Sequence, residues 1–356
     1  MKVPDLLNVL VIAQANDESL QKIKEVNPQR LNVIPAYAEF LDEIVADNYE
    51  MMSRRAEIPL EPKWTPAERE ATLASAHAIF LSFPFPKTLV RRAKNALWFH
   101  CPFAGVSNLK GTDYWGAKPK FTTSRGYTQA LPIAETAVGA ALMFAKRLDA
   151  AAVNTKANKF ERSEAGQMVL LEGKTIGIVG LGGIGRHVAR LSKGLGMRVL
   201  ATRRSIKKKI ENSEGVDTLY PANLLHEMLP QCDFLVIATM WTDETQHLIN
   251  SNAFELMKQG SSLINIARGE IVEELSLVDA LNSGKLAHAY IDVYKDDFTK
   301  PPSKALASAK NIVITPHISG RSDISHAFSV DVFCNNIQRL LGGEEMENLV
   351  DWERGY

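Results

Sequence analysis

The stretch Lys174–Arg190 constrains the fold of this chain more than any other. Within it, Thr175–Val179 is a short apolar, β-branched run that predicts a buried strand. Gly180, Gly182 and Gly185 follow in a G-x-G-x-x-G pattern, and the apolar residues after them recur at helical spacing. Because strand, glycine turn and helix occur in this order, the stretch predicts a dinucleotide-binding unit.

Each of these glycines has its own physical role in such a unit. Gly180 allows the tight turn, Gly182 lacks a Cβ that would block a pyrophosphate, and Gly185 lets the helix pack on the strand. The helix N-terminus offers N–H groups and a positive dipole end to the phosphates. An ordinary strand-to-helix turn without a ligand is the alternative interpretation.

The end of the next strand, predicted at Arg198–Thr202, indicates which dinucleotide binds. NAD-binding chains usually have Asp or Glu there, to bind the ribose 2′-hydroxyl. This chain has Arg203, Arg204 and Ser205 instead, and guanidinium groups pair well with phosphate oxygens. We therefore expect NADP to be preferred, while NAD remains possible. The alternative is a solvated basic loop that continues through Lys207–Lys209.

Composition limits the classes of function. The 356 residues are enough for two domains. Lys+Arg and Asp+Glu both number 41, so nothing favours nucleic acid or an anionic membrane as a partner. No apolar run is long enough to span a bilayer. Leu6–Ala13 is interrupted by Asn8 and predicts a buried strand rather than a signal peptide.

The three cysteines are Cys101, Cys232 and Cys334. They are scattered and have no metal-ligand spacing, so we expect a reducing, cytoplasmic compartment, no disulfide framework and no metal site. His100 and Cys101 are of residue types that are often catalytic. Because no partner motif accompanies them, we interpret them as residues that pack in the core or in a loop.

Strands and helices alternate along both parts of the chain. Residues 1–130 predict an α/β half with its own small sheet. After the nucleotide unit, strands are predicted at Phe234–Thr239, Ser262–Ala267, His288–Val293 and Ile312–Thr315. Arg268, Asp292 and His317 lie at the ends of the last three. Ligands bind beyond the carboxyl ends of strands in such sheets, so these residues form a candidate site.

The chain resembles the D-isomer-specific 2-hydroxyacid dehydrogenase family from about Leu97 to Val350. The matching segments are Leu171–Thr175 before the glycines, Ala134-Glu135, Asn265–Gly269 (NIARG), Ile291–Val293, Thr315–His317, the loop Phe103–Val106 and, weakly, Asn348–Val350.

This resemblance implies two doubly wound α/β domains with a cleft between them. A flavodoxin-like substrate domain would comprise residues 1–130 and 324–356, including a returning helix at about Ile324–Leu341. A Rossmann domain, residues 131–323, would bind the cofactor. The apolar helix predicted at Ile133–Leu148 is consistent with a homodimer in this family.

The implied activity is hydride transfer between NAD(P)H and C2 of a 2-keto or D-2-hydroxy acid, as in glyoxylate/hydroxypyruvate reductases or broad 2-ketoacid reductases. His317 would be the general acid, and Arg268 would pair with the substrate carboxylate. Asp292 would accept a hydrogen bond from the nicotinamide carboxamide. The N–H groups of Ala104, Gly105 and Val106 would also hold the substrate carboxylate. Further cofactor contacts would come from Gly183, Ile184, Thr239, Thr245, Ala267 and Gly320.

The chain departs from the family next to its proposed acid. Asp297 stands where the family has the Glu that orients the His, and Phe298 replaces the following Pro. Since Asp is one methylene shorter, either the loop moves in or the His–carboxylate pair is weaker.

Two other functions remain open. One is a non-catalytic, NAD(H)-sensing adaptor of the same fold, although no partner-binding tail is evident. The other is a formate or phosphite dehydrogenase. Formate enzymes of the family lack the acidic partner of the His, so Asp297 argues against that activity.

Overall fold

The computed structural model describes residues 3–52, 61–103, 105–126, 129–323 and 325–355. It divides into two compact units. The first unit is Met1–Gln129 with Ser322–Tyr356, and the second unit is Ala130–Arg321.

Strands and helices alternate through most of the described residues. The strands are β1 (Leu7–Ile12), β2 (Leu31–Pro35), β3 (Ala78–Leu81), β4 (Trp98–Cys101), β5 (Lys120–Thr123), β6 (Thr175–Val179), β7 (Arg198–Arg203), β8 (Ile210–Ser213), β9 (Val216–Pro221), β10 (Phe234–Ile237), β11 (Ser261–Asn265), β12 (Leu286–Ile291) and β13 (Ile312–Ile314). The α-helices are α1 (Asp17–Glu25), α2 (Leu41–Asp47), α3 (Tyr49–Met52), α4 (Pro66–Ser75), α5 (Ala130–Ala145), α6 (Leu148–Lys156), α7 (Gly183–Gly194), α8 (Leu225–Met228), α9 (Ser251–Leu256), α10 (Glu274–Asn282), α11 (Lys304–Ala307) and α12 (Ser325–Gly342).

The first unit is built on a parallel sheet with the order β2-β1-β3-β4-β5. This order is that of flavodoxin-like folds, so the predicted class of this part is confirmed. Both faces of the sheet are buried, as the apolar run of β3 and the mostly apolar residues of β1 require. The C-terminal helix α12 returns to this unit and stacks Phe333 on Phe80 and Trp98, with ring centroids 4.7 Å apart in each pair.

His100 lies inside this core. Its ring nitrogens contact the hydroxyls of Thr122 at 2.7 Å and Ser124 at 3.2 Å. Burial lowers the pKa of His100 to about 3 and raises the pKa of the neighbouring Cys101 thiol. Both side chains therefore pack in the core, as the sequence predicts.

The second unit contains an eight-stranded sheet with the order β13-β12-β11-β10-β6-β7-β9-β8. Its strands pair in parallel except for the antiparallel pair β8–β9. Counted from β6, strands β6 to β12 without the hairpin strand β8 follow the Rossmann order 3-2-1-4-5-6, which confirms the predicted class. The order reverses between β6 and β10, where dinucleotides bind in such sheets.

The linking helix differs from its prediction. It begins at Ala130 and ends at Ala145 rather than spanning Ile133–Leu148. Arg147 has a left-handed backbone, with φ of 55°, so the chain turns and a separate helix, α6, follows. The apolar side chains of α5 pack in the core of the second unit.

None of the described helices is both long and apolar enough to cross a membrane.

Candidate active site

The glycine turn after β6 has the geometry that the sequence predicts. Gly180 has a φ of 103°, and a Cβ there would lie 2.9 Å from the carbonyl oxygen of Ala238. A Cβ on Gly185 would lie 2.2 Å from the oxygen of Gly180. Around Gly182, by contrast, a Cβ would meet nothing within 4 Å. The fold itself therefore requires two of the glycines, and the third leaves an open approach to the backbone.

The glycine turn leads directly into α7. Gly182 is the N-cap, Gly183 is the first helical residue and Ile184 packs against the core of the unit. The end of β7 is tied to the same turn, since Thr202 accepts a hydrogen bond from Gly180 N at 3.2 Å through its hydroxyl. Sequence reasoning missed Thr202, because a buried Thr at a strand end is otherwise ordinary.

The basic residues at the end of β7 have an acidic neighbour. Arg203 forms an ion pair with the Glu214 carboxylate, whose other oxygen lies 2.5 Å from Arg186 Nη2. Arg204 and Ser205 follow at the exposed surface. Glu214 comes from the β8–β9 hairpin and was not anticipated. The turn lacks the Asn-Gly or Asp-Gly pair that marks a hairpin in a sequence, so no local signal could have found it.

The loop after β10 is held by Thr245. Its hydroxyl accepts a hydrogen bond from Thr242 N at 2.8 Å and donates to the oxygen of Met240 at 2.7 Å. Thr239 begins this loop, and its Cα lies 2.9 Å from the position of a Cβ on Gly180. Both predicted cofactor residues thus border the glycine turn or the loop beside it.

Arg268 occupies a tight turn after β11. The Asn265 side chain accepts a hydrogen bond from Ala267 N at 3.1 Å and donates to the oxygen of Arg268 at 3.0 Å. The guanidinium donates to the oxygen of Ala267 at 2.7 Å. Burial lowers the pKa of Arg268, while the charges of Asp297 and Glu270 act in the opposite direction. Asp297 therefore lies within electrostatic reach of this guanidinium.

Asp292 is fully buried at the end of β12 and organises the loop that carries His317. One of its oxygens accepts hydrogen bonds from the Thr315 hydroxyl at 2.6 Å and from Ile318 N at 2.9 Å. The other accepts from Ser319 N at 3.0 Å, just before Gly320. A carboxylate has about four acceptor positions, so Asp292 can still accept one more donor.

His317 is oriented by two consecutive residues of one loop. Its Nδ1 lies 2.9 Å from an oxygen of Asp297, and the Phe298 ring stacks on the imidazole with centroids 4.7 Å apart. The backbone of His317 is left-handed, with a φ of 54°. The shorter Asp thus reaches the imidazole at full hydrogen-bond distance.

The predicted substrate loop belongs to the first unit. Gly105 and Val106 are buried after β4, whereas Ala104 lies outside the described residues. No group of three or more His, Cys, Asp or Glu side chains within the described ranges is arranged to bind a metal ion.

Comparison with known proteins gives one family. The family model described as D-isomer specific 2-hydroxyacid dehydrogenase, NAD binding domain, matches residues 138–319. The glyoxylate reductase of Thermococcus kodakarensis is 38% identical over 181 residues, which are 51% of this chain and 53% of that protein. The chain thus spans about half the length of the curated relatives it matches.

Solved structures match nearly the whole chain. A D-isomer specific 2-hydroxyacid dehydrogenase family protein from Aeromonas salmonicida is 26% identical, with a TM-score of 0.76, and the match covers 97% of this chain and 99% of that one. An NADPH-dependent glyoxylate/hydroxypyruvate reductase from Sinorhizobium meliloti, in complex with NADP and sulfate, is 22% identical, with a TM-score of 0.75 and coverage of 98% and 100%. The latter likeness shows the fold alone.

Proposed function

This chain belongs to the D-isomer specific 2-hydroxyacid dehydrogenase family, and from this premise we propose that it is a nicotinamide-dependent enzyme acting at C2 of 2-keto acids and D-2-hydroxy acids. The observation that carries the proposal is the contact between His317 and Asp297 near a half-buried arginine, Arg268. A proton donor, its orienting carboxylate and a cation for an anionic substrate lie beyond the ends of neighbouring strands. This arrangement suits the reduction of a keto acid.

The catalytic residues divide the work as follows. The cofactor, when bound, supplies the hydride. Negative charge develops on the keto oxygen during reduction, and His317 gives a proton to that oxygen. Because Nδ1 is bonded to Asp297, the nitrogen that exchanges the proton is Nε2. Arg268 pairs with the substrate carboxylate and polarises the carbonyl. In the reverse direction His317 accepts the proton.

The residues of the second unit fit a nicotinamide dinucleotide. The open space at Gly182 and the N-terminus of α7 suit the pyrophosphate. Gly180, Gly183, Ile184, Gly185, Thr239, Thr245, Ala267 and Gly320 would line its path, and Asp292 has an acceptor position for the carboxamide. We propose that Arg203, Arg204 and Ser205 favour NADP.

We assign the substrate-binding role to the first unit and the cofactor-binding role to the second. In this assignment the backbone N–H groups of Ala104, Gly105 and Val106 also bind the substrate carboxylate. Relatives named glyoxylate reductase support a small 2-keto acid, such as glyoxylate or hydroxypyruvate, as the substrate.

We further propose a homodimer in the cytoplasm. Five of the eleven large apolar side chains that are exposed within the described ranges lie between residues 148 and 170, where a second copy could cover them. All three cysteines are free and buried, which is consistent with a reducing compartment.

A substrate panel tests the proposal. The purified protein is assayed with NADPH or NADH against glyoxylate, hydroxypyruvate, pyruvate and phenylpyruvate, and with NADP⁺ or NAD⁺ against formate and phosphite. We expect turnover of at least one 2-keto acid. Turnover of formate or phosphite alone would assign the other dehydrogenase activity. Cofactor binding without any turnover would favour the sensing adaptor.

The cofactor preference is tested with the double variant Arg203→Gln/Arg204→Gln. We expect the wild type to have a higher kcat/KM with NADPH than with NADH, and the double variant to lose this difference. Equal use of both cofactors by the wild type would contradict the preference.

A further inference from the structure

We propose that Glu214 is a specificity-determining residue for the cofactor, because it brings a carboxylate to the site where Arg203 would bind a 2′-phosphate. The inference rests on the proposed function only in that a nicotinamide dinucleotide binds at the glycine turn. It concerns which form of the dinucleotide the chain accepts.

The Glu214 carboxylate joins two elements of the nucleotide site. One oxygen pairs with Nη1 of Arg203, the last residue of β7, and the other lies 2.5 Å from Nη2 of Arg186, near the start of α7. In a Rossmann unit the adenosine ribose lies between the glycine turn and the end of this strand. The usual acidic residue is absent from the strand end, and Glu214 brings a carboxylate there from another part of the chain.

The hairpin that carries Glu214 is anchored beneath its tip. Asp217, on β9, accepts a hydrogen bond from Val199 N at 2.6 Å and forms a 2.5 Å ion pair with Lys193 of α7. These contacts bind the hairpin to the same two elements that Glu214 joins. The position of the carboxylate is therefore set by the fold and not by a freely moving loop.

The turn itself does not favour glutamate. Glu214 and Gly215 connect β8 and β9 with φ values of 54° and 81°, which is the pattern of a type I′ turn. Asn, Asp or Gly usually occupies the first of these positions, because these residues adopt left-handed backbone more readily than glutamate does. The ion pairs give a reason for a glutamate here that the backbone does not.

A carboxylate in this place has opposite effects on the two cofactors. A 2′-phosphate must share Arg203 with Glu214 and is repelled by its charge. A ribose 2′-hydroxyl can instead donate a hydrogen bond to the carboxylate. Glu214 thus reduces the advantage that Arg203 and Arg204 give to NADP, and it allows NAD to be used as well.

Calorimetry with two cofactor fragments tests this proposal without turnover. Adenosine 2′,5′-bisphosphate carries the 2′-phosphate, and 5′-AMP carries the free hydroxyl. We expect Glu214→Gln to bind the bisphosphate about tenfold more tightly than the wild type does, and to bind 5′-AMP no more tightly. Glu214→Asn, which suits the turn, should show the same shift. Glu211→Gln is the matched control, because Glu211 lies on the same hairpin and accepts from the Thr218 hydroxyl; its affinities should not change.

Equal affinity of the wild type, Glu214→Gln and Glu214→Asn for the bisphosphate would overturn the proposal. The variant Arg203→Gln separates this failure from failure of the phosphate site. If Arg203→Gln loses affinity for the bisphosphate while the Glu214 variants bind like the wild type, the phosphate site stands and only the role of Glu214 is wrong. If Arg203→Gln also binds like the wild type, the NADP assignment fails with it.

Discussion

At the scale of single residues, the Asp297 carboxylate both orients His317 and complements the charge of its protonated ring. Asp297→Asn separates these effects, because the amide oxygen can still accept from Nδ1 while the negative charge is lost. General acid catalysis typically contributes 10²–10⁴-fold. We expect kcat for keto-acid reduction to fall roughly 100-fold, with cofactor affinity and melting temperature unchanged. A variant with wild-type kcat would show that Asp297 does not assist His317.

Replacing Asp297 by glutamate, the residue that the family has at this position, is predicted not to increase the rate. The loop already brings Asp297 to within 2.9 Å of the imidazole, so the longer side chain of Asp297→Glu would overfill the site. We expect a lower kcat in this variant, measured by stopped-flow reduction of the preferred keto acid. A higher kcat would mean that the wild-type contact is too loose.

Phe298 is predicted to help orient the imidazole of His317 by stacking on its face, while Asp297 bonds the Nδ1 edge. Aromatic pairs of this kind contribute about 0.5–1.5 kcal/mol, which corresponds to about a two- to twelvefold effect. We therefore expect Phe298→Ala to lower kcat by this factor with little change in KM. Phe298→Tyr keeps the ring and serves as the control. Equal losses in both variants would argue against stacking as the cause.

At the scale of elements, the strands β4 and β5 bury His100, and this burial makes the stability of the first unit depend on pH. Burial lowers the pKa of His100 to about 3, against about 6.5 in an unfolded chain. The unfolded state therefore binds more protons between these values. The free energy of unfolding therefore does not depend on His100 above pH 6.5. It falls as the pH is lowered towards 3, by up to about 1.4 kcal/mol per pH unit.

The difference between the wild type and His100→Gln isolates this contribution. Both proteins are melted between pH 5 and pH 8. We expect the melting temperature of the wild type to fall more steeply below pH 6.5, although the variant is less stable at neutral pH. Parallel curves would assign the pH dependence to other groups.

The elements that the sequence predicts are those with a clear apolar signal. β1, β3 and β6 are buried along their length, so their apolar runs mark them. β8 has the sequence IENS and an exposed middle. It pairs only because β9 is in the right register, and no local pattern reveals it. The helix α5 begins three residues before its predicted start at Ile133, because Pro132 is tolerated in the first turn of a helix and does not mark its first residue.

The site residues that could be predicted are those that directly follow a predicted strand. Arg268, Asp292 and His317 could be chosen because parallel strands bring their carboxyl ends to one edge of the sheet. Glu214 could not, since its approach to Arg203 depends on the length and twist of an unpredicted hairpin. The hydrogen bonds of Asp292 to the 315–319 loop were also beyond reach, because the sequence does not give the path of that loop.

At the scale of the whole molecule, exposed apolar side chains are concentrated in the segment of the second unit between residues 148 and 170. Phe160 and Leu170 are 73% and 65% exposed. Contiguous exposed apolar patches mark interaction sites, and we propose that these neighbouring residues form one. Most apolar residues of α5 pack inside their own unit, and Leu142 and Met143 are partly buried against its core. We therefore expect the dimer contact to involve the segment after α5.

The double variant Phe160→Ser/Leu170→Ser tests this interface. Replacing two apolar side chains in a buried contact removes part of the burial energy that holds a dimer together, at about 25 cal/mol per Å². We expect the wild type to sediment as a dimer and the double variant to sediment as a monomer at micromolar concentration. Leu275→Ser is the control, because Leu275 is 69% exposed and lies on α10; this variant should remain dimeric. A dimeric double variant would place the interface elsewhere, and a monomeric wild type would refute the dimer itself.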